Sequence, residues 1–215
     1  MPDWMLPQAI LCDRDGTLIE DEHFLHHPEQ IRWIPGVLEK LREWKQQGIQ
    51  IFVITNQSGV ARGYFGTEAV EAVHAQLQQD VAKTGGEIAQ FYYCPHHPQG
   101  SISGYNDPCN CRKPAPGMFF AVLKEHHLQP HRCWVVGDRL RDLEPGIELG
   151  MKAFLVETGY GLQAKQELKG KSYRELVTVI PSLANLFDFN RQVERQGDGE
   201  TISVDSHQLS VGETG

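Results

Sequence analysis

The sequence predicts an α/β protein built on a mostly parallel central sheet with helices on both faces. Three observations lead there. Short apolar or β-branched runs alternate with segments of helical periodicity along most of the chain. The run IQIFVIT at 49–55 is apolar almost throughout, as in a strand covered on both faces. Acidic and small polar residues follow these runs at their C-terminal ends, the edge where open α/β sheets bind ligands.

The elements follow in order. Residues 8–13 (QAILCD) read as a short buried strand. In 37–47, Val37, Leu38, Leu41 and Trp44 recur at helical spacing, and Gly48 stops the helix. The strand at 49–55 is followed by a helix opened by Thr67 and Glu68 that runs to Gly85. Residues 88–93 (IAQFYY) predict a third strand, and a Pro-, Gly- and Cys-rich stretch fills 94–117. A helix then begins at Met118, a strand spans 133–138, a helix 140–149 and a strand 152–157. A last helix is expected from near Ser172, interrupted at Pro181, to about Phe189.

The chain has 215 residues and a formal net charge of −8. At roughly 150 residues per domain this is one domain with an appendage. We expect a single domain over 1–189 and a disordered tail over 190–215, which has no aromatic residue between Arg191 and Gly215 and few aliphatics. No run of about 18 apolar residues is available to span a membrane, and the N-terminus lacks the pattern of a secretory signal. A cytosolic monomer without membrane or nucleic-acid partners is expected, since the acidic balance offers no overall basic footprint.

The sharpest motif is Asp13-Arg14-Asp15-Gly16-Thr17, directly after the first strand. Two carboxylates one residue apart at a strand end can share one crevice, one attacking an electrophile and the other handling a proton. Alone, the motif could equally be a turn. Thr55-Asn56-Gln57-Ser58-Gly59 after the second strand offers donors for an anion. Gly137-Asp138-Arg139-Leu140-Arg141-Asp142 after the fourth adds two more carboxylates, which alone would pass for a helix cap and a surface charge.

Residues 94–111 carry a second chemistry. Cys94, His96, Cys109 and Cys111 form a Cys₃His set suited to tetrahedral Zn²⁺ with no open position, hence a structural site. His97 is the competing ligand. Arg112 and Lys113 follow immediately, so a closed metal knot would fix the backbone that carries both cations.

The four motifs together resemble the haloacid dehalogenase-like (HAD) phosphohydrolases. The resemblance implies a sheet in the order 3-2-1-4-5, without a large cap domain. It implies Mg²⁺ held by Asp13, the main-chain carbonyl of Asp15, and Asp138, with Asp142 orienting the site from behind. Asp13 would be the nucleophile, Asp15 the general acid and base, and Thr55 and Lys113 the stabilisers of the transferring phosphoryl group. Thr55 to Gly63 and Tyr92 to Gly100 further resemble the D-glycero-D-manno-heptose-1,7-bisphosphate 7-phosphatases. That branch implies a small phosphorylated sugar as substrate, contacted by Asp21, Glu22, His23, Phe24, Thr55, Asn56, Gln57, Ser58, Arg112, Lys113 and Arg139. Arg139 stands where the family pattern has Lys, keeping the charge but exchanging a point donor for a planar fork. A bisphosphate needs a second cation for its remote phosphate, and Arg112 beside Lys113 could supply it. The alternatives are a histidinol-phosphate phosphatase, whose zinc loop is shorter, and a zinc-loop protein that binds phosphorylated ligands without turnover. A nucleic-acid 3′-phosphatase is disfavoured by the net charge.

Overall fold

A computed structural model describes residues 6–187. Six strands form one parallel sheet in the order β3-β2-β1-β4-β5-β6. They are β1 (Ala9–Cys12), β2 (Gln50–Asn56), β3 (Gln90–Cys94), β4 (Cys133–Gly137), β5 (Lys152–Val156) and β6 (Val177–Ile180). The helices are α1 (Val37–Gln46), α2 (Thr67–Lys83), α3 (Gly117–Glu125), α4 (Leu140–Glu148) and α5 (Gly161–Leu168).

The alternation of side chains along each strand divides the core into two layers. Ile10, Ile51, Val53, Trp134, Val136 and Phe154 face one way, onto Val37, Leu41 and Trp44 of α1 and Val73, Leu77 and Val81 of α2. Leu11, Phe52, Ile54, Val135 and Leu155 face the other way, onto Met118, Phe119 and Val122 of α3, Leu143 of α4 and Leu168 of α5. The central strands are buried on both faces, which is why 49–55 carries no polar alternation.

β1 lies between β2 and β4, with Cys12 opposite both Val53 and Val136. This is the switch point of the sheet: the chain leaves β1 towards β2 on one side and returns to β4 on the other. The ends of β1, β2 and β4 therefore open into the same crevice.

The expected helix from Ser172 to Phe189 is not formed. Arg174–Leu176 makes a single 3-10 turn, and Val177–Ile180 pairs with β5 as a sixth parallel strand, Ala153 opposite Val177. Val177, Thr178, Val179 and Ile180 are all β-branched, a composition that favours the pleated sheet once an open edge is available. The helix α5 was also unforeseen. The end of the expected helix and the tail at 190–215 lie outside the described residues.

Candidate active site

Asp13 continues β1 by one residue and its backbone N–H still bonds to Val136 O of β4 at 3.0 Å. Asp138 follows β4 by one residue. The neighbouring strands thus deliver both carboxylates to the same place. One oxygen from each of Asp13, Asp138 and Asp142 lies within 4.8 Å of the others. Lys113 reaches this cluster from the loop before α3. Its buried Nζ donates to Asp13 Oδ1 at 2.8 Å and Ile54 O at 2.6 Å, and pairs with Asp142 Oδ1 at 2.8 Å. Burial works against the ammonium, but Asp13 and Asp142 outweigh it and raise the pKa of Lys113.

Asp138 is the carboxylate with unmet demand. Its Oδ2 accepts Tyr160 N–H at 2.8 Å, while its buried Oδ1 has no partner. Burial and the charges of Asp13 and Asp142 push its pKa up to about 8. Two glycines make room for it. A Cβ on Gly16 (φ +81°) or on Gly159 (φ +55°) would stand 2.4 Å from Asp138 Oδ2.

An orphaned buried oxygen among crowded carboxylates fits a hard divalent cation such as Mg²⁺. Asp142 has less to offer it. Its Oδ1 faces Lys113 and its Oδ2 accepts Arg139 N–H at 3.1 Å, so it acts on the cluster from behind.

Asp15 is held by Arg14, a residue the sequence reasoning passed over. The guanidinium of Arg14, 1% exposed, reaches both Asp15 oxygens at 3.0 Å through Nη2. Arg14 Nη1 lies 3.2 Å from His74 Nε2. Burial, then Arg14, lowers the His74 pKa to about 3, so its ring is neutral and accepts this bond. Gln57 Nε2 adds bonds to Asp15 Oδ2 at 2.9 Å and to Thr55 Oγ1 at 2.8 Å. Nothing local in the sequence marks His74, which sits on the apolar face of α2.

Asn56 faces inwards as much as outwards. Its amide accepts Lys113 N–H at 3.0 Å and donates to Lys113 O at 3.1 Å, clamping the peptide that carries the lysine. Asp21, Glu22, His23 and Phe24 form one wall of the crevice, and Thr55, Asn56, Gln57 and Ser58 another. Burial, then Asp15, raises the Asp21 pKa. Arg139 also lines the crevice, with its guanidinium 3.3 Å from the Tyr160 ring centroid and 3.9 Å from Asp21. Arg112 is not part of the lining. Its Nη1 donates to His96 O at 3.1 Å, and burial, then Arg141, lowers its pKa.

Cys94, His96, Cys109 and Cys111 come together. The Cys94–Cys111 and Cys94–Cys109 sulfurs are 3.2 and 3.7 Å apart, and His96 Nδ1 lies 3.6 Å from Cys94 Sγ and 3.4 Å from Cys111 Sγ. Zinc–sulfur and zinc–nitrogen bonds in a tetrahedron set edges of about 3.5–3.8 Å; two of these separations match and the two to Cys111 are tighter, so the four donors are gathered closely enough to share one ion. Burial and the Cys111 thiol push the Cys94 pKa up, a cost that a bound cation removes. His97 is otherwise engaged. Its Nε2 lies 3.1 Å from Arg62 Nη2, and its Nδ1 accepts Gln99 N–H at 3.1 Å.

The polynucleotide kinase 3 phosphatase family model matches residues 8–141, and the HAD-hydrolase-like model matches 110–186. The D-glycero-beta-D-manno-heptose-1,7-bisphosphate 7-phosphatase of Escherichia coli K12 is 37% identical over 161 residues, 74% of this chain and 84% of its own. The enzyme of the same name from Pasteurella multocida is 34% identical over 179 residues, 83% of this chain and 97% of its own. The D,D-heptose 1,7-bisphosphate phosphatase of B. bronchiseptica, solved with magnesium and phosphate, superposes with a TM-score of 0.77 at 31% identity. That match covers 86% of this chain and 99% of that one. The chain belongs to the D-glycero-D-manno-heptose-1,7-bisphosphate 7-phosphatase family of HAD phosphohydrolases.

Proposed function

We propose that this protein is a magnesium-dependent phosphomonoesterase that removes the C7 phosphate of D-glycero-D-manno-heptose 1,7-bisphosphate through an aspartyl-phosphate on Asp13. The observation that carries the reading is the orphaned Asp138 Oδ1 beside Asp13, with Lys113 Nζ 2.8 Å from the Asp13 carboxylate. Asp13, Asp138 and the main-chain carbonyl of Asp15 would hold Mg²⁺. When bound, the ion offsets the repulsion between a phosphate dianion and the attacking carboxylate.

Asp13 attacks phosphorus in line and displaces the sugar oxygen. Lys113 and Thr55 hold phosphoryl oxygens, on which charge spreads in the transition state. Asp15 protonates the leaving oxygen and later takes a proton from the water that hydrolyses the intermediate. Both of its oxygens lie against Arg14, so it must turn at least one of them towards the leaving group. Arg14 and Gln57 limit where it can turn. The zinc knot contributes stiffness: Cys111 is bonded through the chain to Arg112 and Lys113, and His96 O holds the Arg112 side chain. This reduces the ordering cost of placing the lysine.

A phosphorylated sugar suits this crevice better than a polynucleotide, which would reward clustered Lys and Arg. Asp21 and Glu22 line one wall. The reading includes a cytosolic location, supported by five cysteines of which none is in a disulfide, as a reducing compartment favours. No helix among the described residues is long and apolar enough to cross a membrane. The test is a substrate panel. Turnover of heptose 1,7-bisphosphate should exceed that of histidinol phosphate and of a 3′-phosphorylated oligonucleotide, and a reversed order overturns the assignment.

A further inference from the structure

We infer that His74 is a positioning residue for the acid–base step: it holds the Arg14 guanidinium in place while Asp15 turns towards the leaving oxygen. This rests on the reading given under Proposed function, in which Asp15 serves the leaving group, and adds a residue with no part there.

Arg14 is held at three points. Its carbonyl accepts the N–H groups of Leu18 at 2.9 Å and Ile19 at 3.2 Å, which fixes the backbone of the turn. Nε and Nη2, one edge of the guanidinium, face the Asp15 carboxylate. The remaining nitrogen, Nη1, meets His74 Nε2 of α2 at 3.2 Å. The histidine is itself seated. Its ring stacks on that of Phe91, with centroids 4.5 Å apart and planes 16° apart, and Tyr93 meets it edge-on at 5.7 Å. Phe91 and Tyr93 are alternate residues of β3 and so project from the same face of the sheet. The Tyr93 hydroxyl donates to Glu71, one turn before His74 on α2, at 3.4 Å. A helix and a strand therefore fix the acceptor that Arg14 meets.

Asp15 has to leave this arrangement to work. Its side chain is 21% exposed against 1% for Arg14, so the carboxylate can turn into the crevice while the guanidinium has no water to turn to. Were Asp15 its only side-chain partner, its departure would strand a buried cation. The guanidinium would then follow, and the ion pair would keep the carboxylate occupied. His74 prevents both. Nη1 keeps its bond when Asp15 turns, so the buried fork is not left wholly unpaired. The ring, neutral through burial and then through Arg14, does this as an acceptor alone. A carboxylate in its place would compete with Asp15 for the same cation.

His74 is not among the residues that line the crevice, whereas Arg14 and Asp15 are. Its influence on the reaction passes through Arg14, so its removal should appear in the rate of the chemical step and not in substrate binding.

The experiment measures kcat and KM of the wild type, His74→Leu and His74→Gln on D-glycero-D-manno-heptose 1,7-bisphosphate and on 4-nitrophenyl phosphate, whose leaving group departs without a proton. Leucine removes the acceptor, and glutamine places an amide oxygen where Nε2 stood. On the sugar ester, kcat of His74→Leu should fall about 10- to 100-fold, the scale of a displaced catalytic group, with KM within about twofold of wild type. His74→Gln should recover most of that loss. On the aryl ester, kcat/KM, which reports only the steps up to the aspartyl-phosphate, should change less than about threefold in both variants. If His74→Leu is poorly folded, His74→Phe, which keeps the stack on Phe91 without an acceptor, takes its place with the same expectation. If the wild type leaves the aryl ester untouched, the kcat loss and its recovery by glutamine decide. An unchanged kcat, a loss carried by KM, a glutamine variant no better than leucine, or an equal loss on both esters overturns the inference and leaves the proposed function standing. A wild type that does not hydrolyse the bisphosphate overturns both.

Discussion

Replacing Lys113 by methionine removes the one ammonium that faces Asp13 and Asp142 while keeping most of the side-chain volume. Lys113 and Asp142 are both 3% exposed as residues, so water cannot take over the lost interactions. Breaking a buried pair at one end costs about 3–5 kcal/mol, a large share of the 5–15 kcal/mol that holds a typical domain together. Ile54 O loses a 2.6 Å bond as well. The sign with pH can be worked out. The raised pKa of Lys113 means that its contribution is fully present at neutral pH and is lost only as pH climbs through that pKa. Asp142 already has a raised pKa, from burial and despite Lys113; without the ammonium it rises further. The variant therefore recovers stability by protonating Asp142 as pH falls. Asp138, raised to about 8, destabilises wild type and variant alike as pH rises towards that value and largely cancels in the difference. Urea unfolding without magnesium should show the full gap at pH 7 and a smaller one at pH 5. A gap below about 1 kcal/mol, the scale of an exposed pair, or one that widens on acidification, would refute this account. Activity should fall about 10²- to 10³-fold, as for loss of one transition-state donor.

Two further outcomes are expected. Elemental analysis should find about one zinc per chain, and chelation should lower kcat/KM about 10- to 100-fold by loosening Arg112 and Lys113; a zinc-free preparation with full activity contradicts the knot. Gly159→Ala places a Cβ 2.4 Å from Asp138 Oδ2 and 2.7 Å from Gly16 Cα at positive φ. It should cost about 1–3 kcal/mol in urea unfolding and shift the magnesium dependence of turnover about tenfold upward, and a wild-type titration would show that the glycines are not a cradle.

Much of this was legible because the carboxylates sit at fixed offsets from strands. Asp13, Thr55 and Asp138 each follow a run whose apolar pattern already marked it as a buried strand. Parallel topology then forces these ends to one edge. The cysteine spacing was equally direct, since four donors of the right softness allow few other uses. What could not be read was decided by contacts between distant residues. The Arg14 clamp needs His74, 60 residues away on another layer. Asn56 looked like a substrate donor, yet its amide is matched to the peptide of Lys113, 57 residues on. Val177–Ile180 carries a β-branched run, but it became a strand only because β5 left an edge to pair with, a fact held by the sheet.

The central claim is that Asp13 becomes covalently phosphorylated. Rapid acid quench of the wild type turning over isotopically labelled heptose 1,7-bisphosphate, followed by peptide mapping, tests it most directly. The account predicts label on the peptide containing Asp13, and none in a folded Asp13→Asn variant, whose turnover is abolished. Label on another residue, or sustained turnover by Asp13→Asn, contradicts it.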